Sequence, residues 1–294
     1  MLGCCGSTNV LIDNDNESSC KVHIEKKYFN ENNYNPTYLN KGSSCLTYKI
    51  KFRNIELTCK KIDKTLIDDI NTEIHLLKLM SHENKFPVFF NAIEELDYYF
   101  ILYNYIEGKD LFSIIDDEIS IIEFKKYNNI LKLIYQITSG LDSLFKYNYI
   151  HLDIKPENII IENINPLKIK IIDLAFCQKI NTETNILDNK RGTPGYSSPE
   201  MMLHKTYSHN SDIWSLGIII YCLFNKYKLF NDNIREYTKH LKKYTDFFNW
   251  KYTVIIGIPG NILTLLNNML VKNPNNRYTI KDILKDKSLK NIKD

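Results

Sequence analysis

The chain lacks the features that mark a secreted, membrane-spanning or polyanion-binding protein. Its formal net charge is only +3, from 38 Lys and Arg against 35 Asp and Glu, so no nucleic-acid partner is implied. Its seven cysteines are odd in number and form no C-x-x-C pair, which predicts reduced thiols in a cytoplasmic compartment. The longest apolar run, near residues 216–224, is too short to cross a bilayer, and we find no secretory signal.

The first 33 residues are polar and show little periodicity, which predicts a flexible N-terminal arm. The myristoylation pattern requires Gly directly after Met, and Leu2 intervenes here. Acylation of the adjacent Cys4 and Cys5 would bring the arm to a membrane. We favour the alternative, in which both thiols are unmodified.

A loop at residues 151–158 carries three side chains suited to phosphoryl transfer. Asp153 can accept the proton of an attacking hydroxyl, Lys155 can offset charge on the transferred group, and the amide oxygen of Asn158 can hold a metal ion. The segment reads His-Leu-Asp-Ile-Lys-Pro-Glu-Asn. It resembles the catalytic loop of eukaryotic protein kinases, H-R-D-x-K-x-x-N, with Leu152 in place of the Arg.

Two upstream patterns predict a buried ion pair. Alternating residues over 38–62 predict a β-hairpin that turns at Arg53 and Asn54 and then carries Lys60. Helical spacing predicts an apolar stripe that includes Glu73, formed by Ile67, Ile70, Ile74 and Leu77. Because an inward-facing carboxylate needs a cationic partner, we expect Glu73 to pair with Lys60. The pair resembles the strand-three Lys and helix-C Glu of protein kinases.

The glycine-rich loop of the family, G-x-G-x-x-G-x-V, is matched only in part. Gly42 keeps the middle glycine, whereas Asn40, Cys45 and Thr47 replace the other glycines and the Val. Each lost backbone contact with a phosphate would weaken ATP binding by on the order of 1 kcal/mol, or up to about tenfold. By position, the resemblance implies that nucleotide contacts come from Leu39, Asn40, Lys41, Gly42, Ser43, Ser44, Cys45, Leu46 and Thr47.

Other segments extend the resemblance. Residues 98–106 predict a core strand that ends in the nucleotide-binding hinge, and residues 124–147 predict one long amphipathic helix. Asp173 begins Asp-Leu-Ala in place of D-F-G, and with Asn158 it is implied to hold Mg²⁺. Ala175 replaces a glycine, which predicts a less mobile motif. Further nucleotide contacts are implied for Thr58, Lys60, Glu73, Asn104, Tyr105, Ile106, Asp110 and Ile160.

The segment at 192–200 reads Gly-Thr-Pro-Gly-Tyr-Ser-Ser-Pro-Glu and resembles the family's G-T-P-G-Y-x-A-P-E. It closes an activation loop that carries Thr182 and Thr184. Because Leu152 replaces the Arg that holds an activation-loop phosphate, we expect activity that does not depend on such a phosphate. The resemblance also implies that Asp212 braces the catalytic loop and that Arg277 pairs with Glu200.

The resemblance implies an α+β, two-lobed protein-kinase-like fold over residues 34–290. A small β-rich N-lobe with one key helix would span about 34–103, a larger, mostly helical C-lobe about 107–290, and ATP would bind between them. The implied activity is that of a serine/threonine protein kinase that uses ATP and Mg²⁺, with Asp153 as base and Lys155 steadying the γ-phosphate. We expect a monomer with a protein substrate, and Asp110 and Glu157 favour a basic one.

Two other functions remain open on the residues alone. A pseudokinase that binds nucleotide or protein would explain the eroded glycine loop, Leu152 and Ala175. A small-molecule phosphotransferase is the second, and the 192–200 segment argues against it because this segment forms a peptide-docking shelf in the family. Every residue implied to contact the reacting phosphoryl group or metal is present, which favours the protein kinase.

Overall fold

The computed structural model describes residues 34–42, 45–66, 70–126, 128–180, 185–187, 192–226, 229–250, 253–254 and 256–292. Contacts between them separate the chain into two units. One comprises the described residues through His82 together with Pro87–Ile106, and the other comprises Glu83–Phe86 and the described residues from Glu107 onward. The predicted arm at 1–33 lies outside the described residues.

The first unit is a five-stranded antiparallel sheet with one helix. Its strands are β1 (Thr37–Lys41), β2 (Cys45–Phe52), β3 (Ile55–Asp63), β4 (Phe89–Glu94) and β5 (Tyr98–Asn104), arranged β1-β2-β3-β5-β4. The predicted hairpin turning at Arg53 and Asn54 is confirmed, since β2 pairs with β3 from Cys45↔Ile62 to Phe52↔Ile55. Alternate residues of these strands fill the core of the unit: Ile50, Phe52, Leu57, Cys59, Ile93, Phe100 and Leu102.

Helix α1 (Asn71–Met80) ends later than the predicted stripe, which stopped at Leu77. The predicted stripe began at Ile67, which lies outside the described residues, and Ile70 stands at the N-cap. The buried face of the helix consists of Glu73, Leu76, Leu77 and Met80. The carboxylate is therefore on the inward face, as predicted.

The second unit is mostly helical, with two small antiparallel sheets. One sheet contains β6 (Lys109–Asp110), β8 (Ile159–Ile164) and β9 (Leu167–Ile171), and the other pairs β7 (Tyr149–Ile150) with β10 (Gln178–Lys179). The helices are α2 (Leu111–Asp116), α3 (Glu118–Lys126), α4 (Asn129–Lys146), α5 (Pro199–His204), α6 (Ser211–Asn225), α7 (Ile234–Lys243), α8 (Gly260–Met269) and α9 (Ile280–Leu284). Short 3-10 turns cover Pro156–Asn158, Pro274–Asn276 and Lys287–Leu289.

The single helix predicted over 124–147 was wrong at its start. Phe124 belongs to α3, and α4 begins only at Asn129. Asn128 lies between them with φ of +56°, a left-handed conformation that asparagine tolerates and that a continuous helix does not contain. Apolar periodicity continued across this break and so concealed it.

Helix α6 forms the centre of the second unit and is buried from Ser211 to Leu223. The rings of Phe230 and Tyr244 pack on its Trp214 with centroid separations of 5.8 and 5.4 Å. Tyr237 in turn packs on Phe230 at 5.4 Å, and Trp250 packs on Phe230 and Tyr244 at 5.8 and 5.6 Å. The tyrosine hydroxyls reach backbone carbonyls, Tyr237 to Ser197 and Tyr244 to Leu270. Both buried tyrosine hydroxyls are therefore hydrogen-bonded. Among the described helices, none has the length and apolar character needed to cross a bilayer.

Candidate active site

The predicted ion pair in the first unit is confirmed. Lys60 Nζ lies 2.6 Å from Glu73 Oε1, and the two side chains are 9% and 2% exposed. The position of Lys60 in the sheet is fixed on both sides, because it pairs with Thr47 on β2 and with Ile101 on β5. Separating a buried carboxylate from its ammonium partner would leave both charges uncompensated, so Lys60 on β3 stays paired with Glu73 on α1. The strand and the helix together orient the lysine.

In the second unit, the carboxylate of Asp153 has a polar partner on each side. Its Oδ1 accepts a hydrogen bond from Thr193 Oγ1 at 2.7 Å. Its Oδ2 lies 2.8 Å from Lys155 Nζ and 3.2 Å from Asn158 Nδ2. Lys155 Nζ also donates to Thr193 Oγ1 at 3.0 Å. An ionised carboxylate offers about four acceptor positions, and among the described residues three partners use positions on this one.

Asn158 and Asp173 are brought together by the backbone. The N–H of Ile172, the residue before Asp173, donates to the carbonyl oxygen of Asn158 at 2.9 Å. The side-chain nitrogen of Asn158 donates to Asp153 O at 2.8 Å, which leaves its amide oxygen for a cation. Within the described residues no cluster of three or more His, Cys, Asp or Glu forms a metal site. One carboxylate and one amide fit Mg²⁺, which takes its remaining ligands from phosphates and water.

The predicted brace of the catalytic loop by Asp212 is also confirmed. Its two oxygens accept from the backbone N–H groups of His151 and Leu152, each at 2.8 Å. Leu152 has φ of +66°, a left-handed conformation that costs a non-glycine residue roughly 1–2 kcal/mol. The two hydrogen bonds to this buried carboxyl group offset the cost and hold the loop in place.

The brace is itself anchored by Glu200 and Arg277, which pair as predicted. Arg277 Nη1 and Nη2 donate to the two carboxylate oxygens at 2.8 and 2.9 Å, and Ser211 Oγ donates to Oε1 at 2.7 Å. Burial raises the pKa of Glu200, but the hydrogen bonds and charge of Arg277 and the hydroxyl of Ser211 outweigh it and hold that pKa below its ordinary value. Arg277 also donates to the carbonyl of Asn210, next to α6 and Asp212.

Comparison with known proteins agrees with this geometry. A family model described as the protein kinase domain matches residues 39–289. This chain belongs to the protein kinase family. Its β-rich first unit and mostly helical second unit confirm the predicted fold class.

Similar proteins carry serine/threonine or calcium-dependent kinase names. This chain is 29% identical over 264 residues to serine/threonine-protein kinase Nek5 of Homo sapiens, and the alignment covers 88% of this chain and 35% of that protein. It is 31% identical over 247 residues to calcium-dependent protein kinase 4 of Plasmodium falciparum, covering 83% of this chain and 44% of that protein. This chain therefore aligns with less than half the length of each of these relatives.

The glycine-loop segment of the kinase is a β1–β2 hairpin that precedes Lys60 in the same sheet, as its position indicated. Gly42 N–H donates to the carbonyl of Cys45 at 2.9 Å, and Asn40 Oδ1 accepts from the N–H of Lys41 at 2.7 Å. Leu39 lies at an irregularity in the β1–β2 register, while Leu46 and Thr47 lie within β2. Ser43 and Ser44 are outside the described residues.

The hinge segment is restricted on its N–H side. The resemblance implies nucleotide contacts for Asn104, Tyr105 and Ile106. The N–H of Asn104 already donates to Val88 O, and that of Tyr105 to Glu56 O, both at 3.0 Å. Ile106 is thus left as the hinge residue with an N–H to offer, as far as the described part of the chain shows. Thr58, also predicted to contact nucleotide, is buried opposite Tyr103 in the β3–β5 register.

Two predicted nucleotide contacts, Asp110 and Ile160, pair with each other in the β6–β8 ladder of the second unit. Both oxygens of Asp110 are already used, since Ser113 donates from its N–H at 2.7 Å and from its hydroxyl at 2.9 Å. Asp110 therefore caps helix α2. Gly108 precedes this pair with φ of +151°, where a β-carbon would collide with the carbonyl of Ile161.

Thr193 and Leu187 are the residues whose place at the site the sequence reasoning missed. Thr193 lies in the Gly-Thr-Pro of the 192–200 segment, and that fixed place was a usable signal. The preceding Gly192 has φ of +83°, and a β-carbon there would lie 3.0 Å from the carbonyl of Leu152. Leu187 lies in a polar stretch with no motif, and nothing in the sequence indicates its position.

Proposed function

We propose that the protein is a serine/threonine protein kinase that transfers the γ-phosphoryl group of ATP to hydroxyl groups of a protein substrate. The observation that carries this proposal is the arrangement around Asp153, whose carboxylate is oriented by Thr193, Lys155 and Asn158 and uses, among the described residues, three of its about four acceptor positions. A general base needs a fixed orientation of this kind and a lone pair to accept the proton.

The roles of the other groups follow from their charges. Asp153 accepts the proton of the substrate hydroxyl as that oxygen attacks. Lys155, which bridges Asp153 and Thr193, offsets negative charge on the transferred γ-phosphoryl group. Lys60, oriented by Glu73, binds the α- and β-phosphates.

Asn158 and Asp173 are the residues that would hold Mg²⁺. Bound there, the ion would neutralise charge on the β- and γ-phosphate oxygens. The contact of Asn158 Nδ2 with the catalytic loop fixes which end of the amide is available. The chain supplies two oxygen ligands and leaves the rest of the coordination to ATP and water, which is the usual form of a nucleotide-dependent Mg²⁺ site.

A basic substrate is part of the proposal. Glu157 is half-buried, and within the described residues its Oε2 is shielded from solvent with no hydrogen-bond partner. Glu157 is a carboxylate on the catalytic loop, and its charge would attract an arginine or lysine of a substrate. Asp110 supports this less, because its carboxylate already caps a helix. The proposal also has the protein acting as a cytoplasmic monomer.

The test is Mg²⁺-dependent transfer of labelled γ-phosphate from ATP to a basic protein, at low and at millimolar ATP. Asp153→Asn removes the base and Lys60→Met removes the phosphate contact. Both should lose transfer, by about 10²–10⁴-fold for the base. Transfer seen mainly at millimolar ATP would reflect the eroded glycine loop. Nucleotide binding without transfer by the unaltered protein would reject the kinase in favour of a pseudokinase.

A further inference from the structure

Leu152 stands inside an apolar cluster of the second unit. It is 2% exposed and packs with four other buried side chains, Ile150, Leu187, Met201 and Tyr207, while the partly buried Ile180 packs against the group. Ile150 and Leu152 flank His151 at the start of the catalytic loop. Leu187 belongs to the segment between Asp173 and Gly192, so this cluster joins that segment directly to the loop.

Backbone hydrogen bonds hold the same segment on both sides of the cluster. Asn185 O accepts from Tyr207 N–H at 3.0 Å, and Leu187 N–H donates to Lys205 O at 2.8 Å. Before it, Ile180 N–H donates to Asn148 O at 2.7 Å, and β10 pairs with β7. The hydroxyl of Tyr207 donates to Lys179 O at 3.0 Å. The segment is thus docked by backbone hydrogen bonds and by burial of apolar side chains.

We propose that Leu187 is a positioning residue, whose burial against Leu152 holds the catalytic loop in its working conformation. This inference rests on the proposed kinase function. The reason is geometric: Leu152 is one residue from Asp153 and has an unfavourable left-handed backbone, so a support that keeps its side chain buried also fixes the adjacent carboxylate. Leu187 acts through Leu152 and touches no reacting group.

The neighbouring Ile186 provides a matched control. Ile186 is 57% exposed whereas Leu187 is 6% exposed, although both lie in the same short segment bridged to Lys205–Tyr207. Truncating each to Ala removes similar amounts of side chain from two adjacent positions. Only the change at 187 removes apolar volume from the cluster.

The experiment compares Leu187→Ala, Leu187→Met and Ile186→Ala in the full chain, by steady-state kinetics with a basic protein substrate and by amide hydrogen exchange. We expect Leu187→Ala to lower kcat about tenfold or more, since small misplacements of a reacting group are costly, with KM for ATP unchanged within about twofold. Leu187→Met should restore most of kcat, and Ile186→Ala should leave it unchanged. Exchange at the Leu187 and Tyr207 amides should speed up in Leu187→Ala only.

Equal kcat values for Leu187→Ala and Ile186→Ala would overturn the inference. So would a loss of kcat accompanied by faster exchange throughout the second unit, because that is a general loss of stability. If the unaltered protein shows no transfer above Asp153→Asn, the proposed function fails while the exchange data still test the docking. Unchanged exchange at Leu187 and Tyr207 in Leu187→Ala would then reject it.

Discussion

The catalytic loop is supported in two chemically different ways. On one side, Asp212 accepts hydrogen bonds from the backbone of His151 and Leu152 and is linked through α6 to the buried Glu200–Arg277 pair. On the other side, the side chain of Leu152 packs against Leu187 and its apolar neighbours. The first support consists of directional, charge-assisted bonds, and the second depends only on burial of apolar surface.

The two supports should differ in how much they stabilise the fold and in how they affect the dependence of activity on phosphorylation. All five N–H groups of Arg277 are hydrogen-bonded, to Glu200, Val271, Asn210 and Lys272, so losing any partner leaves a buried polar group unpaired. Apolar packing tolerates substitutions that conserve side-chain volume, which usually cost less than about 1.5 kcal/mol. Apolar side chains form no favourable contact with a charged group, so a phosphate added nearby would not strengthen this support. The polar support should therefore dominate stability, and the apolar one should free activity from phosphorylation.

The largest effect should follow from breaking the polar support. Arg277→Met leaves the carboxylate of Glu200 buried without its cation and should lower the free energy of unfolding by about 3–5 kcal/mol. Urea unfolding would measure the loss. Lys146→Met is the control, because Lys146 pairs with Asp142 at 3.1 Å with its side chain 65% exposed, and it should lose less than about 1 kcal/mol. Similar losses in the two variants would mean that the buried pair contributes no more than a surface one.

Acid should weaken the same support. Because the folded pKa of Glu200 is held below the ordinary 4.5, its ionised form stabilises the fold above that pH, and this contribution is lost as pH falls through the folded pKa. Glu200→Gln has no such carboxyl group. We expect the unaltered protein to be the more stable at neutral pH, with the difference shrinking below 4.5. Unfolding midpoints across that range would show it, and a constant difference would contradict it.

Much of the polar support could be predicted from the sequence, and the apolar support could not. Asp212, Glu200 and Arg277 stand at fixed places in recognisable motifs, and a buried charge has few partners to choose from. Lys60 and Glu73 were found in the same way, from a carboxylate on an inward helix face. Leu187 needs no specific partner, because it can be buried against any apolar side chain. Its role depends on backbone pairing between distant segments.

Local backbone conformation was the other limit. The break at Asn128 and the left-handed Leu152 are set by single φ angles that apolar periodicity does not report. The restriction of the hinge has the same origin, since the carbonyls that occupy the Asn104 and Tyr105 N–H groups belong to Val88 and Glu56. Sequence motifs therefore named the candidate residues, while the hydrogen bonds that restrict them needed the three-dimensional structure.

A change at Thr193 should affect chemistry more than stability. Thr193→Val removes both the hydrogen bond to Asp153 and the acceptor for Lys155 while keeping a similar shape. We expect kcat to fall about tenfold, corresponding to roughly 1.4 kcal/mol, with little change in KM for ATP. Thr193→Ser keeps the hydroxyl and should retain most of the activity. Equal losses in the Val and Ser variants would show that the methyl group, and not the hydroxyl, is what matters.

The smallest effect should come from the activation-loop hydroxyls. Thr182 and Thr184 lie outside the described residues, so the expectation rests on Leu152, whose side chain is buried in the apolar cluster and can bind no phosphate. Thr182→Ala combined with Thr184→Ala should change kcat by less than about twofold, as should phosphatase treatment of the unaltered protein. The measurement is phosphoryl transfer by the double variant and by the unaltered protein, the latter purified from a host that contains kinases and then dephosphorylated. Abolished activity in the double variant would mean that a phosphate is required after all, and that packing of Leu187 against Leu152 does not replace it.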